Sequence, residues 1–442
     1  MERRVNLSEL NVGQEIQTKN FVTLKVIEEL GRGGQGIVYR VDYGGKEMAL
    51  KWFIKGAMGE QPDKFYKNLE HNISKGSPTA DAKTDIFLWP KDITDWIDGT
   101  FGYVMEIRPK DYVEFTKILT SKKGGGFKTY KAIVEVCIRI VSAFRLLHNK
   151  GYSYQDINAG NFFINPKSGK VLICDNDNVA PNQTNMGVIG TPQYMAPEIV
   201  KDMKVRPSTN TDEFSLAVVL FILLGGDHPL QGKHWTVPCL TPSIEKKLYG
   251  THPIFVFDPE DDSNRPVKGV HDHVINRWRV LPKYLKEKFE ISFSQDAIKN
   301  PNKRLKELEW LKVLTRFQSD IVRCQNCKGE VFVIDSKATK CDVCGKLYEI
   351  KNALQLKDYS VPVAKNTRIY RCQLGVCNAE DALTPIVSVI TKNDVFGLRN
   401  VSGVPLKGIT PGGKINQIKP DAEIPAKSGI VIEYSNGKIN II

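Results

Sequence analysis

Two short apolar segments, residues 162–164 and 171–173, lie next to polar residues that can bind metal ions or accept protons. The loop before the first segment carries Asp156 and Asn161, and Asp175 closely follows the second segment. Two short strands are therefore predicted to bracket this loop. A carboxylate such as Asp156 can take the proton from an attacking hydroxyl, while Asn161 and Asp175 are hard oxygen ligands suited to Mg²⁺ on a nucleotide. The stretch thus predicts phosphate chemistry.

A glycine-rich segment near the start of the chain has the pattern G-x-G-x-x-G-x-V. It consists of Gly31, Gly33, Gly34, Gly36 and Val38. Glycines let the backbone approach a triphosphate and direct amide N–H groups at its oxygens. Taken alone, the pattern fits a flexible hairpin better than a binding loop. A dinucleotide-binding turn is disfavoured because strand-like sequence, rather than a helix, follows Gly36.

Lys51 ends an apolar, strand-like segment 15 residues after Gly36. An ordinary lysine at this place would extend its ammonium group into solvent. After a glycine-rich hairpin, the same group is placed to meet the α- and β-phosphates of a nucleotide. Glu70 lies 19 residues after Lys51, on a helical segment, and is predicted to hold Lys51 in place. The alternative for Glu70 is a solvated glutamate on the surface.

The spacing of apolar residues divides the chain into a β-rich start, a helical middle and a β-rich end. Strands are predicted over residues 21–29, 36–43, 47–53, 87–97 and 102–107. Helices are predicted over residues 63–75, 131–147, 214–224 and 300–317. The third of these helices is apolar on every side, which indicates burial in the middle of a large lobe. Val- and Ile-rich runs after residue 358 predict a small all-β module.

A further segment, residues 190–198, reads Gly-Thr-Pro-Gln-Tyr-Met-Ala-Pro-Glu. In their order, the segments resemble the motifs of eukaryotic-type protein kinases over roughly residues 20–317. The resemblance implies an α+β chain with a two-lobed protein-kinase fold and with ATP and Mg²⁺ in the cleft between the lobes. It also implies protein substrates, and residues 190–198 are more like the serine/threonine than the tyrosine kinases.

The resemblance assigns further residues by their motif positions. Met105 resembles the gatekeeper of the adenine pocket. Glu106 and Arg108 resemble the hinge residues whose backbone contacts adenine. Asp212, which opens the buried helix, resembles the residue that braces the catalytic loop. Asp156 would orient and deprotonate the substrate hydroxyl.

Three positions depart from the common pattern of this family. Gln155 replaces the arginine before the catalytic aspartate, Asn158 replaces the lysine two residues after it, and Asp177 replaces the glycine of Asp-Phe-Gly. Loss of the lysine removes a positive charge near the γ-phosphate, which is compatible with slow turnover. The proton acceptor, both metal ligands and Lys51 remain, so an active enzyme is favoured. The alternative is a nucleotide-binding pseudokinase scaffold that recruits partners through its C-terminal modules.

Two Cys-x-x-Cys pairs, separated by 13 residues, are formed by Cys324, Cys327, Cys341 and Cys344. Four thiolates at this spacing predict a tetrahedral structural zinc site, a zinc ribbon, because four protein ligands leave no open position. One alternative is four unrelated thiols. Another is a ribbon whose lysines tether nucleic acid, which the lack of interleaved aromatic and arginine residues disfavours. Removal of zinc is expected to unfold the ribbon and to spare the kinase lobes.

The predicted domain order is a kinase domain over residues 1–317, a zinc ribbon over 318–350 and the β module over 358–442. The smaller kinase lobe is expected to end at about residue 107. The β module resembles a forkhead-associated domain, which would suggest phosphopeptide binding. The motifs and the ribbon together resemble a bacterial kinase subgroup found with tellurite-resistance-type gene clusters. That resemblance implies two partners, a von Willebrand A-type protein and a metal-dependent protein phosphatase.

Composition bears on partners and location. The 442 residues carry a formal charge of +12, a mild excess that suits a phosphate-rich ligand or an acidic partner. The longest apolar run, residues 214–224, is shorter than the roughly 20 residues that cross a bilayer. The first residues do not have the pattern of a signal peptide, and the paired cysteines indicate metal binding in a reducing compartment. A cytoplasmic location is therefore expected, and membrane and secreted classes are excluded.

Overall fold

The computed structural model describes residues 9–56, 58, 61–80, 86–120, 126–186, 190–378, 380–393 and 395–442. Its first part is a smaller lobe built on an antiparallel sheet of six strands. These are β1 (Glu15–Gln17), β2 (Thr23–Arg32), β3 (Gly36–Tyr43), β4 (Lys46–Phe53), β5 (Asp92–Ile93) and β6 (Gly102–Met105). Their spatial order is β1–β2–β3–β4–β6–β5. The helix α1 (Pro62–Lys75) packs against this sheet.

The contact between α1 and the sheet depends on aromatic and aliphatic side chains. Phe65, Tyr66 and Leu69 lie on one face of α1 and are buried in a cluster that includes Phe53 and Phe101. Burial of each such side chain contributes roughly 1.5–3 kcal/mol. The helix begins with a proline, whose missing N–H costs nothing in the first turn. This packing places α1 beside the cleft between the lobes.

Most of the strands predicted for this lobe are confirmed. The strand predicted over residues 36–43 has the same bounds as β3, and its neighbours agree to within a few residues. The strand predicted over 87–97 is wrong for most of its length, because the strand that joins the sheet is limited to Asp92–Ile93, with an isolated bridge from Thr94 to Thr18. Leu88 N–H instead donates to the backbone oxygen of Ile173 in the larger lobe at 2.8 Å.

The larger lobe is mainly helical. Its helices are α2 (Phe115–Thr120), α3 (Tyr130–Asn149), α4 (Pro197–Lys201), α5 (Thr209–Gly225), α6 (Pro242–Lys246), α7 (Asp272–Val280), α8 (Lys283–Ser292), α9 (Gln295–Lys299) and α10 (Glu307–Asp320). Its short strands are β7 (Val113–Glu114), β8 (Tyr152–Ser153), β9 (Phe162–Ile164), β10 (Val171–Ile173) and β11 (Ala180–Pro181). β9 pairs with both β10 and β7, and β11 pairs with β8. Residues 247–251 form a π-helical turn.

Helix α5 lies at the centre of the larger lobe, as predicted from its apolar composition. A capping box between Ser208 and Thr211 satisfies its first N–H groups, and Gly226 ends it in the left-handed conformation at a φ of 85°. From Thr211 to Gly225 every residue is buried. Among the described residues, no helix combines the length and the apolar composition needed to cross a membrane.

The helix predicted over residues 300–317 is wrong at its start. A 3₁₀ turn, Pro301–Lys303, is followed by Arg304 in extended conformation, and α10 begins only at Glu307. The buried guanidinium of Arg304 bonds to both carboxylate oxygens of Glu198, at 2.8 and 2.7 Å. Bidentate pairs of this kind are strong and directional, and this one holds Arg304 outside the helix.

The C-terminal part of the chain consists of short strands. Those around the cysteines are β12 (Ile321–Arg323), β13 (Glu330–Phe332), β14 (Thr339–Lys340) and β15 (Leu347–Tyr348). The following elements are β16 (Ala353–Gln355), β17 (Ser360–Pro362), β18 (Arg368–Tyr370), α11 (Arg371–Leu374), β19 (Pro385–Lys392), β20 (Val395–Asn400), β21 (Leu406–Ile409), β22 (Ile415–Ile418), β23 (Glu423–Pro425), β24 (Val431–Tyr434) and β25 (Gly437–Ile441).

The last strands form two sheets, with the orders β17–β16–β25–β24–β21–β22 and β18–β19–β20–β23. Their apolar side chains share one buried cluster that contains Leu354, Ile386, Leu398 and Ile439. Because Leu354 of β16 pairs with Ile441 of β25, the β module begins before the predicted residue 358. Its last strand, β25, ends at Ile441.

The cysteine-containing segment packs directly on the larger lobe. The carboxylate of Glu330 accepts the backbone N–H of Tyr130 at 2.6 Å and that of Lys131 at 3.1 Å, at the start of α3. The ring of Phe332 lies 5.5 Å from that of Tyr130 and 5.8 Å from that of Phe317, both measured between centroids. The cysteine-containing segment therefore caps a helix of the larger lobe.

Replacement of Glu330 by alanine tests this contact. Because the variant leaves two N–H groups of α3 without their acceptor, the free energy of unfolding should fall by about 1–2 kcal/mol. Urea unfolding of the full chain measures the change. Glu349→Ala, which removes an exposed glutamate from the same region, is the control and should be neutral. Equal stability of both variants would contradict the capping role.

Candidate active site

The turn between β8 and β9 holds Asp156 and Asn161 in a fixed relation. The side chain of Asn158 accepts the N–H of Gly160 at 2.9 Å and starts a 3₁₀ turn over Ala159–Asn161. The buried Asn161 then donates its side-chain N–H to the backbone oxygen of Asp156 at 2.9 Å. Asn158 therefore supports the turn, and its amide cannot supply the charge of the lysine that the family pattern has there.

Strand pairing brings Asp175 to the same turn. In the β9–β10 hairpin, Phe162 lies opposite Ile173. The backbone N–H of Cys174 then donates to the backbone oxygen of Asn161 at 2.9 Å. The structure thus gathers the polar residues that flank the two apolar segments of the sequence.

The carboxylate of Asp156 has one oxygen atom that accepts no hydrogen bond from the described residues. Its Oδ1 is buried and has no hydrogen-bond partner among the residues that the structure describes. Burial raises the pKa of Asp156, although a hydrogen bond from Asn158 opposes this. A Cβ placed on Gly190 would lie 3.2 Å from this oxygen, so the glycine keeps the approach open. The arrangement suits a base that accepts a hydroxyl proton.

The backbone of the catalytic loop is held by a buried chain of charged groups. Asp212 accepts the N–H groups of Tyr154 at 2.6 Å and Gln155 at 3.1 Å, which agrees with the bracing role that the family resemblance implies. His148 bonds to Asp212 through Nε2 at 3.0 Å and to Glu307 through Nδ1 at 2.5 Å. Burial lowers the pKa of His148, but its two carboxylate partners outweigh burial and raise it to about 10. Glu307, far along the chain, was not found from the sequence.

Lys51 lies between two carboxylates of the larger lobe. Its Nζ is 3.1 Å from Asp175 and 3.0 and 3.2 Å from the two oxygens of Asp177. The hydroxyl of Tyr103 also donates to Asp177, at 3.1 Å. Burial would lower the pKa of Lys51, but the charges of Asp175 and Asp177 outweigh it and raise the pKa. Asp177 was recognised in the sequence only as a departure from the family pattern.

The predicted pair of Lys51 with Glu70 is not formed. Glu70 bonds to Lys19 at 2.5 Å and remains one-third exposed. On the face of α1 toward the cleft, the side chains of Asn68 and Asn72 both donate to the backbone oxygen of Val179, at 2.8 and 2.7 Å. The helix thus faces the loop after β10 with amides where a carboxylate was expected.

The glycine-rich segment forms the tip of the β2–β3 hairpin. The fold itself requires a glycine at position 36, because a Cβ there would lie 2.6 Å from the backbone oxygen of Trp52. The fold does not require glycine at positions 31 and 34, because φ is not positive at either residue and a Cβ would meet no described atom within 4 Å. Val38 pairs with Gly31 on one side and Lys51 on the other. The tip is therefore open, as close approach of a phosphate requires.

The hinge residues follow β6. Met105 is buried and pairs with Ala49, while the side chain of Glu106 bonds to Lys46 and Lys91 on the surface. The backbone of Glu106 therefore remains the part available to adenine. The guanidinium carbon of Arg108 lies 4.0 Å from the ring centre of Phe163 in β9.

These features fit ATP and Mg²⁺. The unpartnered oxygen of Asp156, the open glycine tip and the buried Lys51 together leave a place for a triphosphate between the lobes. Asp175, whose side chain is 40% exposed, and Asn161 offer hard oxygen ligands for the metal. Adenine would lie at the hinge.

The four cysteines form a second site, away from the cleft. Their sulfur atoms lie within 4.8 Å of one another, with Cys324 to Cys344 at 3.7 Å and Cys327 to Cys341 at 3.6 Å. Zinc–sulfur bonds of about 2.3 Å in a tetrahedron require sulfur separations of about 3.8 Å. The backbone N–H of Lys346, with other donors, lowers the pKa of Cys344 to about 6. The donor set and its geometry therefore fit structural zinc.

The family model described as a protein kinase domain matches residues 24–246, just over half of the chain. The protein belongs to the protein kinase domain family. The order of the glycine tip, Lys51, the catalytic loop and Asp175 within this range agrees with that assignment, so the two-lobed fold expected from the sequence is confirmed.

Similar proteins include protein kinase C delta type of Rattus norvegicus, 31% identical over 220 residues that cover 48% of this chain and 30% of the relative. A cGMP-dependent protein kinase of Drosophila melanogaster is 27% identical over 238 residues, covering 52% and 23%. The chain thus spans less than a third of the length of these curated relatives. The solved structure of vaccinia related kinase 3 aligns with 16% identity and a TM-score of 0.49, covering 70% of this chain and 93% of that one.

Removal of zinc provides a test of the second site. We expect one zinc ion per chain and, on chelation, loss of protection from hydrogen exchange at Tyr130 and Lys131. The exchange rates should rise about fivefold or more, because a lost helix cap costs about 1 kcal/mol. Cys344→Ser should reproduce the effect, while Cys239→Ser, an exposed cysteine outside the cluster, should not. Elemental analysis without zinc, or unchanged exchange after its removal, would contradict the prediction.

Proposed function

We propose that this protein is an ATP- and Mg²⁺-dependent protein serine/threonine kinase. The observation that carries the proposal is the cleft in which Lys51, Asp175, Asn161 and the free carboxylate oxygen of Asp156 converge. Family membership supports it. Residues 190–198, which resemble the serine/threonine kinases, favour alcohol side chains as acceptors.

In this proposal Asp156 orients the substrate hydroxyl and accepts its proton as the oxygen attacks the γ-phosphorus. Lys51 and the N–H groups of the glycine tip hold the phosphates, and Asn161 and Asp175 hold the metal. Mg²⁺ supplies neutralisation of the charge that develops on the phosphate oxygens. Gly31, Gly33, Gly34, Gly36 and Val38 cover the nucleotide, with adenine between Met105 and the backbone of Glu106 and Arg108.

The alternative is a pseudokinase scaffold. The amide of Asn158 carries no positive charge to stabilise the γ-phosphate, which favours slow turnover. Against the scaffold stands the buried, unpartnered Oδ1 of Asp156, because burial of a carboxylate oxygen without a partner costs stability, and a catalytic role accounts for that cost.

The finer assignments rest on the sequence resemblance. We propose membership in the tellurite-resistance-associated bacterial kinases, with a von Willebrand A-type protein and a metal-dependent protein phosphatase as partners. We also propose a cytoplasmic location, where reducing conditions keep the four thiolates available to zinc. Phosphopeptide binding by the β module remains a prediction from its resemblance to forkhead-associated domains.

Autophosphorylation with labelled ATP tests the proposal. Asp156→Ala and Asp175→Ala should each lower phosphoryl transfer by about 10²-fold or more, because each removes a group that acts on the reacting atoms. Asp175→Ala should also weaken Mg²⁺-dependent ATP binding, whereas Asp156→Ala should leave binding nearly intact. The control Asp358→Ala changes an exposed residue of the β module. Full activity of both active-site variants would contradict the kinase proposal and favour the pseudokinase scaffold.

A second prediction concerns phosphorylation of the loop between Asp175 and Glu198, which contains no serine and only the threonines Thr184 and Thr191. Gln155 donates its side-chain N–H to the backbone oxygen of Thr184 at 2.8 Å, so a neutral bond holds the loop. Phosphatase-treated Thr184→Ala should therefore phosphorylate an exogenous substrate at the wild-type initial rate. A pronounced lag or a large loss of rate would show that a phosphate switch exists.

A further inference from the structure

The ammonium group of Lys51 has an unexpected set of partners. Its nearest carboxylates come from Asp175 and Asp177, both of which follow β10 in the larger lobe. Among the described residues, α1 supplies no carboxylate within 4 Å of it, because Glu70 is paired with Lys19 and Asp63 is exposed. The two aspartates differ in exposure, since the side chain of Asp175 is 40% exposed and that of Asp177 is fully buried.

The position of Asp177 is determined by contacts around it. Asp175 has the left-handed conformation at a φ of 52°, which turns the chain into the 3₁₀ turn Asn176–Asn178. The side chain of Asn176 anchors this turn by donating to the backbone oxygens of Leu88 at 2.9 Å and Ile173 at 3.0 Å. Asp177 thus reaches Lys51 from a fully buried turn.

The difference in exposure separates the tasks of the two aspartates. Asp175 faces the cleft, where a metal ion can bind one carboxylate oxygen. Both carboxylate oxygens of Asp177 accept hydrogen bonds from Lys51, and the hydroxyl of Tyr103 donates to one of them. A buried ammonium requires a permanent counter-ion, and Asp177 is the residue that remains for it when Asp175 is engaged by metal.

We propose that Asp177 is the positioning residue of Lys51, in place of a glutamate on α1. The inference rests on the proposed function, because it assumes that Lys51 contacts nucleotide phosphates. It has a regulatory consequence. Since the counter-ion lies in the larger lobe and next to the metal ligand, movement of α1 would not disconnect Lys51 from its partner.

A double-mutant cycle on ATP binding tests the proposal in the full, zinc-containing chain. Affinity for ATP is measured at saturating Mg²⁺, so that the metal engages Asp175 and leaves Asp177 as the counter-ion of Lys51. Asp177→Asn, which keeps the size of the side chain, should weaken binding about tenfold or more, like Lys51→Met. In the Lys51→Met background, Asp177→Asn should add less than twofold, because a positioning residue acts through Lys51.

Two further variants test whether Glu70, the partner first predicted for Lys51, affects ATP binding more than another charged residue on α1 does. Glu70→Gln should leave the affinity within twofold of the wild type, and so should Asp63→Asn, which changes an exposed aspartate on the same helix. If Glu70→Gln lowered the affinity for ATP as much as Lys51→Met does, the proposal would be overturned. Unchanged binding by Asp177→Asn would overturn it too, as would independent, multiplicative losses in the cycle.

Thermal unfolding of the same variants provides a second measurement. Asp177→Asn alone leaves the ammonium of Lys51 without its main partner and should lower the melting temperature, while the double variant should recover part of the loss. If the double variant is no more stable than Asp177→Asn, the proposed ion pair between Lys51 and Asp177 is contradicted. If the wild type binds ATP but transfers no phosphate, the proposed function fails while the binding cycle still tests Asp177. A wild type that binds no ATP would overturn both.

Discussion

A buried ammonium group links the two lobes of this protein. Lys51 extends from β4 of the smaller lobe, and its carboxylate partners, Asp175 and Asp177, belong to the larger lobe. Removal of one member of such a buried pair costs roughly 3–5 kcal/mol, so the contact contributes substantially to the association of the two lobes.

The catalytic loop depends on a second buried chain, from Glu307 through His148 to Asp212. Asp212 binds two successive N–H groups, which helps to hold Gln155 in the left-handed conformation at a φ of 71°. The folded-state pKa of His148, about 10, lies above its unfolded value of about 6.5. The stabilisation by the imidazolium is therefore complete below about pH 6.5 and is lost as the pH rises through about 10.

Helix α3 connects these buried charged groups to the cysteine-containing segment. Glu330 caps its first turn, and His148 lies in its last turn. With 20 residues the helix is about 30 Å long. Arg316 strengthens the same assembly, because its guanidinium lies between the rings of Tyr284 and Tyr359, at 3.7 and 4.4 Å from their centres. The cysteine-containing segment and the β module are thus packed on the larger lobe.

The sequence by itself determined the features that depend on short spacing: the glycine pattern, the loop from Asp156 to Asn161, the cysteine pairs and strands such as β3, whose pattern is local. It also indicated that α5 is buried, since all its sides are apolar. Tertiary structure alone decided which carboxylate meets Lys51, because Asp177 is 126 residues distant along the chain and a buried ammonium takes whichever partner the fold brings within reach. The same holds for Glu307, whose value as an ion-pair partner arises only when α10 packs on α3 and places its carboxylate against a buried imidazole.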